Sequence, residues 1–293
     1  MKALVLVLIL AGAAAAQENS GLDELITRED LRGFEPVGRV DVEGGGFCTG
    51  ALIAADLVLT AAHCVLQPDG PVAADRITFR AGLAYGKALV EARVWRTMVE
   101  PEYLPIDPAP PEVIAHDVAL LQLAEPIPSA LISPFVVARP ADGDEVSVVS
   151  YAQGRDEALS WQRLCHVVGR RDALIAFDCD VTFGSSGAPV LDRSGYRAKI
   201  VSIVSAGGEM DGRKISFGME LPAIVDRLKA ALRRGQSTSE AVALPEDGVG
   251  AAVTGLPGQP AKRIGVGSPR LGGGGALNGG GAGSGGARFV SPP

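Results

Sequence analysis

From position 37 onward the chain is a succession of short apolar runs, each broken by residues that favour turns. Six runs, at 37–42, 47–53, 57–61, 77–81, 89–98 and 118–123, come first. A stretch carrying Pro126, Pro128, Pro134 and Pro140 follows, and six more runs lie at 146–151, 159–169, 174–179, 189–191, 199–206 and 215–221. Their alternation and β-branched content predict strands, and the prolines between the two sets suit a linker. Two sets of about six strands predict an all-β fold of two packed six-stranded antiparallel barrels, over about 34–125 and 141–221. A helical period emerges only afterwards. Ile224, Val225, Leu228, Ala231 and Leu232 share one face, Pro222 stands at the start, and Arg233-Arg234-Gly235 supply a basic end and a cap. That pattern predicts a C-terminal helix over 222–234, packed on the outside of a barrel.

The flanks read differently. Positions 17–33 are polar and charged with scattered apolar residues, which predicts a mobile leader, or pro-segment, or a short helix. Positions 236–293 hold 16 Gly and 6 Pro among 58 residues, a composition that predicts disorder and leaves no room for a second folded module. At the other end, Met1-Lys2, an apolar run and Ala13-Ala14-Ala15-Ala16 read as a secretory signal over 1–16, cleaved after Ala16. The run is too short for a membrane span, and none remains after its removal. An apolar content of 47% is enough for a sizeable core, while a net charge of -7 without a dense Lys/Arg cluster argues against nucleic acid as a partner. An exported chain with four cysteines reads as disulfide-bonded, and so as secreted or periplasmic.

Three motifs carry chemistry. Thr60-Ala61-Ala62-His63-Cys64 ends an apolar strand in a small-residue turn, and Asp117 opens the apolar run that starts at Val118. Ser186 lies between Gly184 and Gly187. A serine hydroxyl is a poor nucleophile until an imidazole takes its proton, and the imidazole needs a carboxylate to fix its tautomer. His63, Asp117 and Ser186 supply the three groups. Glycine backbone around Ser186 lets the N–H groups of Gly184 and Ser186 converge on a developing oxyanion. Neither of the other histidines competes well. His116 directly precedes Asp117 and points the other way in extended chain, and His166 sits in an alternating stretch. Cys and His spacing fits no zinc site, so no metal and no cofactor is expected.

At these motifs the chain resembles the trypsin/chymotrypsin family of serine endopeptidases, over roughly 34–232, with some likeness to the bacterial glutamyl endopeptidase-like group. The segment Phe47-Cys48-Thr49-Gly50-Ala51-Leu52-Ile53 is similar to the family strand tied by a disulfide to the cysteine after the catalytic histidine. The resemblance implies a chymotrypsin-like fold and a Cys48–Cys64 bridge, and the remaining pair is Cys165–Cys179. It also implies His63 as general base and acid, Asp117 as its orienting carboxylate, and Ser186 as nucleophile. Gly184 and Ser186 would form the oxyanion hole, and the substrate would be a protein or peptide.

Departures from the family bear on activation and specificity. Trypsin-like zymogens carry an Asp just before the nucleophile, which pairs with a newly cut N-terminus; here the residue is Ser185, so the site is expected to be ordered without a cut near Pro36. Asp180 stands six residues before Ser186, where family members selective for Arg and Lys carry a carboxylate, although Asp178 competes for a structural role. Ser205-Ala206-Gly207 resembles the family's substrate-aligning edge, with Ala206 in place of Trp, so Ser205 and Gly207 are candidate substrate contacts through backbone pairing. The alternative to an exported endopeptidase is a catalytically inactive protease-fold binding or adhesion protein.

Overall fold

The computed structural model describes residues 21–140, 145–210 and 213–241, together with a two-residue strand at Arg288–Phe289. The signal-like run 1–16 and most of the Gly/Pro-rich tail lie outside the described residues.

Fifteen strands carry the architecture that matters for the site. A strand β1 (Leu22–Leu25) is followed by β2 (Val37–Val42), β3 (Phe47–Ala54), β4 (Leu57–Thr60), β5 (Ile77–Ala81), β6 (Val90–Val99) and β7 (Ala119–Leu123). Strands β2 to β7 pair antiparallel in the order β6-β5-β2-β3-β4-β7, and β7 pairs back onto β6, which closes a six-stranded barrel. The alternation along β5 and β6 places Phe79, Val90, Ala92 and Val94 inside, as expected for strands with one wet face. Closure also removes unpaired edges.

The second unit contains β8 (Glu145–Ala152), β9 (Arg155–Arg171), β10 (Leu174–Phe177), β11 (Pro189–Asp192), β12 (Lys199–Ile203), β13 (Ala206–Met210) and β14 (Arg213–Met219). Its strands run β12-β11-β8-β9-β10-β14-β13. Since β12 and β13 are halves of one bent segment, the pairing of its first half with β11 and its second half with β14 completes the ring. Ser202 bridges the seam: its hydroxyl donates to the Met219 carbonyl and accepts from the Met219 amide, both at 2.9 Å. Strand β8 is buried along almost its whole length, because one face fills its own barrel and the other meets the first.

A large apolar cluster fills the first barrel and runs across to Tyr151, Leu159, Leu191 and Met219 of the second. A smaller one inside the second barrel gathers Val146, Val190, Ile175 and Phe177 around Cys165 and Cys179. Both expected disulfides, Cys48–Cys64 and Cys165–Cys179, are formed. Each closes a loop worth about 3 kcal/mol in the chain-entropy model. The helix spans Pro222–Arg233 and buries the five residues of its apolar face. It docks on the first barrel, where Arg96 of β6 donates to the Leu232 carbonyl at 3.1 Å and Arg227 pairs with the buried Glu100 at 2.8 Å. Among the described residues no helix is long and apolar enough to cross a membrane.

Two expectations require correction. Residues 22–33 are neither helical nor loose: β1 pairs with β9, Leu22 opposite Gln162 and Leu25 opposite Leu159, and Leu25 and Leu31 are buried. The tail also starts later than its composition suggests. Ser239 and Glu240 pair with Thr97 and Arg96 of β6, and the Thr238 hydroxyl accepts from the Val99 amide at 2.9 Å. In both places the partner is an edge supplied by sequence far away.

Candidate active site

The three motifs converge where the two barrels meet. His63 lies in a short 3-10 helix, Ala62–Cys64, that caps β4, and the bridge from Cys64 to Cys48 ties this turn to β3. Asp117 follows the one-turn helix Pro111–Ile114 and enters β7 fully buried. Its Oδ2 lies 2.7 Å from His63 Nδ1, and its Oδ1 accepts from the His63 backbone N–H at 2.9 Å. The Ser205 hydroxyl donates to Oδ2 at 2.5 Å. A carboxylate only accepts hydrogen bonds, so Nδ1 carries the ring hydrogen and Nε2 is the accepting nitrogen of the ring. Three donors compensate a carboxylate removed from water.

Ser186 reaches this place through the backbone around it. Its carbonyl accepts from the Thr49 amide at 2.8 Å, and Gly187, whose φ is +75°, packs directly on Thr60 and Ala61 just before the His63 turn. Thr49 joins the barrels a second time, since its hydroxyl donates to the Gly184 carbonyl at 2.9 Å and accepts from the Tyr151 amide at 3.0 Å. At Gly184 φ is +90°, and a side chain would collide with the Phe47 ring, so the sequence permits only glycine. The preceding carbonyl, that of Phe183, accepts from the Gln153 amide at 2.7 Å. In a planar trans peptide this turns the Gly184 N–H to the opposite face. Ser185 is fully buried, with its hydroxyl 3.1 Å from that of Ser150.

The remaining candidates fall into place less uniformly. Asp180 does not stand free: Lys214 Nζ lies 3.0 and 3.2 Å from its two oxygens, and its amide donates to Gln162 Oε1 at 2.8 Å. Asp178 serves His166, accepting from its amide at 2.6 Å and facing its Nδ1 at 3.3 Å. His116 Nε2 faces Glu102 at 3.4 Å. Ser205 is drawn to Asp117, while Ala206 and Gly207 lie on β13. Cys48, His63 and Cys64 bring ligand-type atoms within 4.8 Å, but both sulfurs are spent in the disulfide. Glu100, Glu102 and His116 form a second such group, in which Glu100 is paired with Arg227 and Glu102 faces the His116 Nε2.

Sequence reasoning passed over Thr49, Gln153 and Tyr103. Tyr103 is buried, and its phenol is pushed far above its ordinary value, first by burial and then by the charge of Asp117. It therefore stays neutral close to the buried carboxylate. The only signal for Thr49 was its place after Cys48, and nothing local marks the other two.

Comparison with known proteins bears on the same region. Residues 48–196, just over half of the chain, match the family described as Trypsin-like peptidase domain. A solved structure of Glu endopeptidase in complex with MPD is similar in fold: 18% sequence identity and a TM-score of 0.58, over 73% of this chain and 97% of that chain. No curated protein sequence matches.

Proposed function

Since the chain belongs to the trypsin-like peptidase family, we propose that it is an exported serine endopeptidase working through His63, Asp117 and Ser186. The observation that carries the reading is the buried Asp117 carboxylate, held by the backbone N–H and the Nδ1 of His63 and by the Ser205 hydroxyl. In this mechanism His63 Nε2 takes the proton of Ser186 Oγ as the oxygen adds to the peptide carbonyl. The Gly184 and Ser186 N–H groups receive the oxyanion. Collapse expels the amine, which takes the proton from the imidazolium, and leaves an acyl-enzyme. Water, deprotonated by the same nitrogen, then releases the acid and regenerates Ser186. Export is supported by the signal-like start and the two disulfides.

The test is labelling of the purified protein with a fluorophosphonate and mapping of the adduct. The expected site is Ser186. Ser186→Ala should lose label and at least about a thousandfold of peptidase turnover, and His63→Ala similarly. Ser185→Ala should remain active. A folded protein that takes no label, or takes it elsewhere, would sink the assignment.

Asp180 is the candidate carboxylate for a preference for basic residues. A substrate cation at that carboxylate must displace Lys214, an ion pair with an exposed ammonium that is worth at most about 1 kcal/mol. Lys214→Met should therefore raise kcat/KM several-fold for peptides with Arg before the scissile bond and leave Leu peptides unchanged. An equal effect on both would remove Asp180 from the specificity pocket.

A further inference from the structure

Strand β13 is flanked by β14 on one side. On the other side lies a strand β15 (Arg288–Phe289), drawn from the far end of the Gly-rich tail. The pairing is antiparallel, with Gly207 opposite Arg288 and Ala206 opposite Phe289. It covers backbone groups that an uncovered edge would leave unpaired, and these are the groups on which an extended peptide would pair. Its direction matters as well. Going from Arg288 to Phe289 the chain advances from Gly207 to Ala206, toward Ser205, whose hydroxyl rests on the Asp117 carboxylate. Ala206 and Ser186 are both 0% exposed.

We propose that Arg288–Phe289 is a resident peptide ligand of the β13 edge, which makes the full-length chain a self-competing enzyme. The inhibitory consequence rests on the peptidase reading above, whereas the pairing does not. The sequence supplies the reach. Forty-six positions, 242–287, separate the strand from Ala241 on the first barrel, and at about 3.3 Å each they can span up to about 150 Å. A ligand tethered this way is present at an effective concentration on the order of millimolar. Two paired residues hold weakly, so the strand yields to substrate instead of blocking it permanently. The signature is competitive.

The experiment compares a protein starting at Gln17 and running to Pro293 with one ending at Gly286, using an internally quenched peptide substrate. The full-length form should show a KM about two- to tenfold higher at unchanged kcat, which is the effect of a tethered competitor near its own dissociation constant. Phe289→Pro, which keeps the length but removes a backbone donor, should behave like the truncation. In a Ser186→Ala background, amide exchange at Ala206 and Gly207 should be slower in the full-length protein than in the truncated one. Equal KM together with equal exchange would overturn the proposal. So would removal of the 288–293 segment by the active protein but not by Ser186→Ala, because the segment would then be a substrate. If fluorophosphonate fails to label either form, the peptidase reading falls, and the exchange comparison still decides whether the strand sits on β13.

Discussion

A methyl group added at Gly187 would collide with the Thr60 hydroxyl and the Thr49 carbonyl and stand 2.9 Å from the Ala61 nitrogen, on a backbone whose φ is +75°. None of those atoms is the end of a flexible side chain. Gly187→Ala should therefore cost about 2 kcal/mol or more and displace Ser186 from the His63 turn. The expected result is a lower urea midpoint together with a loss of turnover. Ser185 offers a contrasting case. Its hydroxyl meets Ser150 in a fully buried site, so Ser185→Asp would bury a carboxylate beside a neutral partner, at a cost of several kcal/mol. Equal urea midpoints for wild type and Ser185→Asp would contradict this. At this scale residue type and order were enough to single out His63 and Asp117, which the fold joins across 54 positions. Other remote partners were not legible: nothing near Ser205 announces Asp117, and nothing near Asp180 announces Lys214.

Strands with one dry face announce themselves by alternation, and for this reason β2 to β7 lie within a residue or two of the expected runs. Strand β1 does not alternate clearly, and its existence depends on the edge offered by β9 some 140 residues later. Its energetic role follows from Leu25, Leu31 and Phe34, all buried, with the Phe34 ring 5.0 Å from that of Trp161. Burial of such side chains stabilises by about 1.5–3 kcal/mol each. A protein beginning at Val37 should accordingly melt well below one beginning at Gln17. It should gain no turnover, because the Phe183–Gly184 peptide is already oriented by Gln153. A form inert until cut near Val37 would reveal an activation step incompatible with that orientation.

The two barrels are joined by buried polar links, and these set how the whole molecule responds to pH. The Tyr151 hydroxyl donates to the Leu83 carbonyl at 3.0 Å across the interface, and burial pushes both Tyr151 and Tyr103 above the ordinary tyrosine value. An unfolded tyrosine gives up its proton near pH 10 while the folded ones retain theirs. Above that pH the unfolded state binds fewer protons, so stability falls as pH rises, by about 1.4 kcal/mol per unit for each residue. Below it the contribution is intact. Urea titrations from pH 9 to 11 should show this slope, and Tyr151→Phe should flatten it by about half. The bent segment from β12 to β13 has a consequence of another kind. The Ser205 hydroxyl rests on the Asp117 carboxylate, and the next two residues, Ala206 and Gly207, form the edge paired by β15. On the peptidase reading, whatever is laid along that edge adjoins the residue that contacts the carboxylate behind the imidazole. Variants of Gly207 selected for tighter peptide capture should therefore carry a change in kcat with them, which steady-state kinetics on one substrate would show.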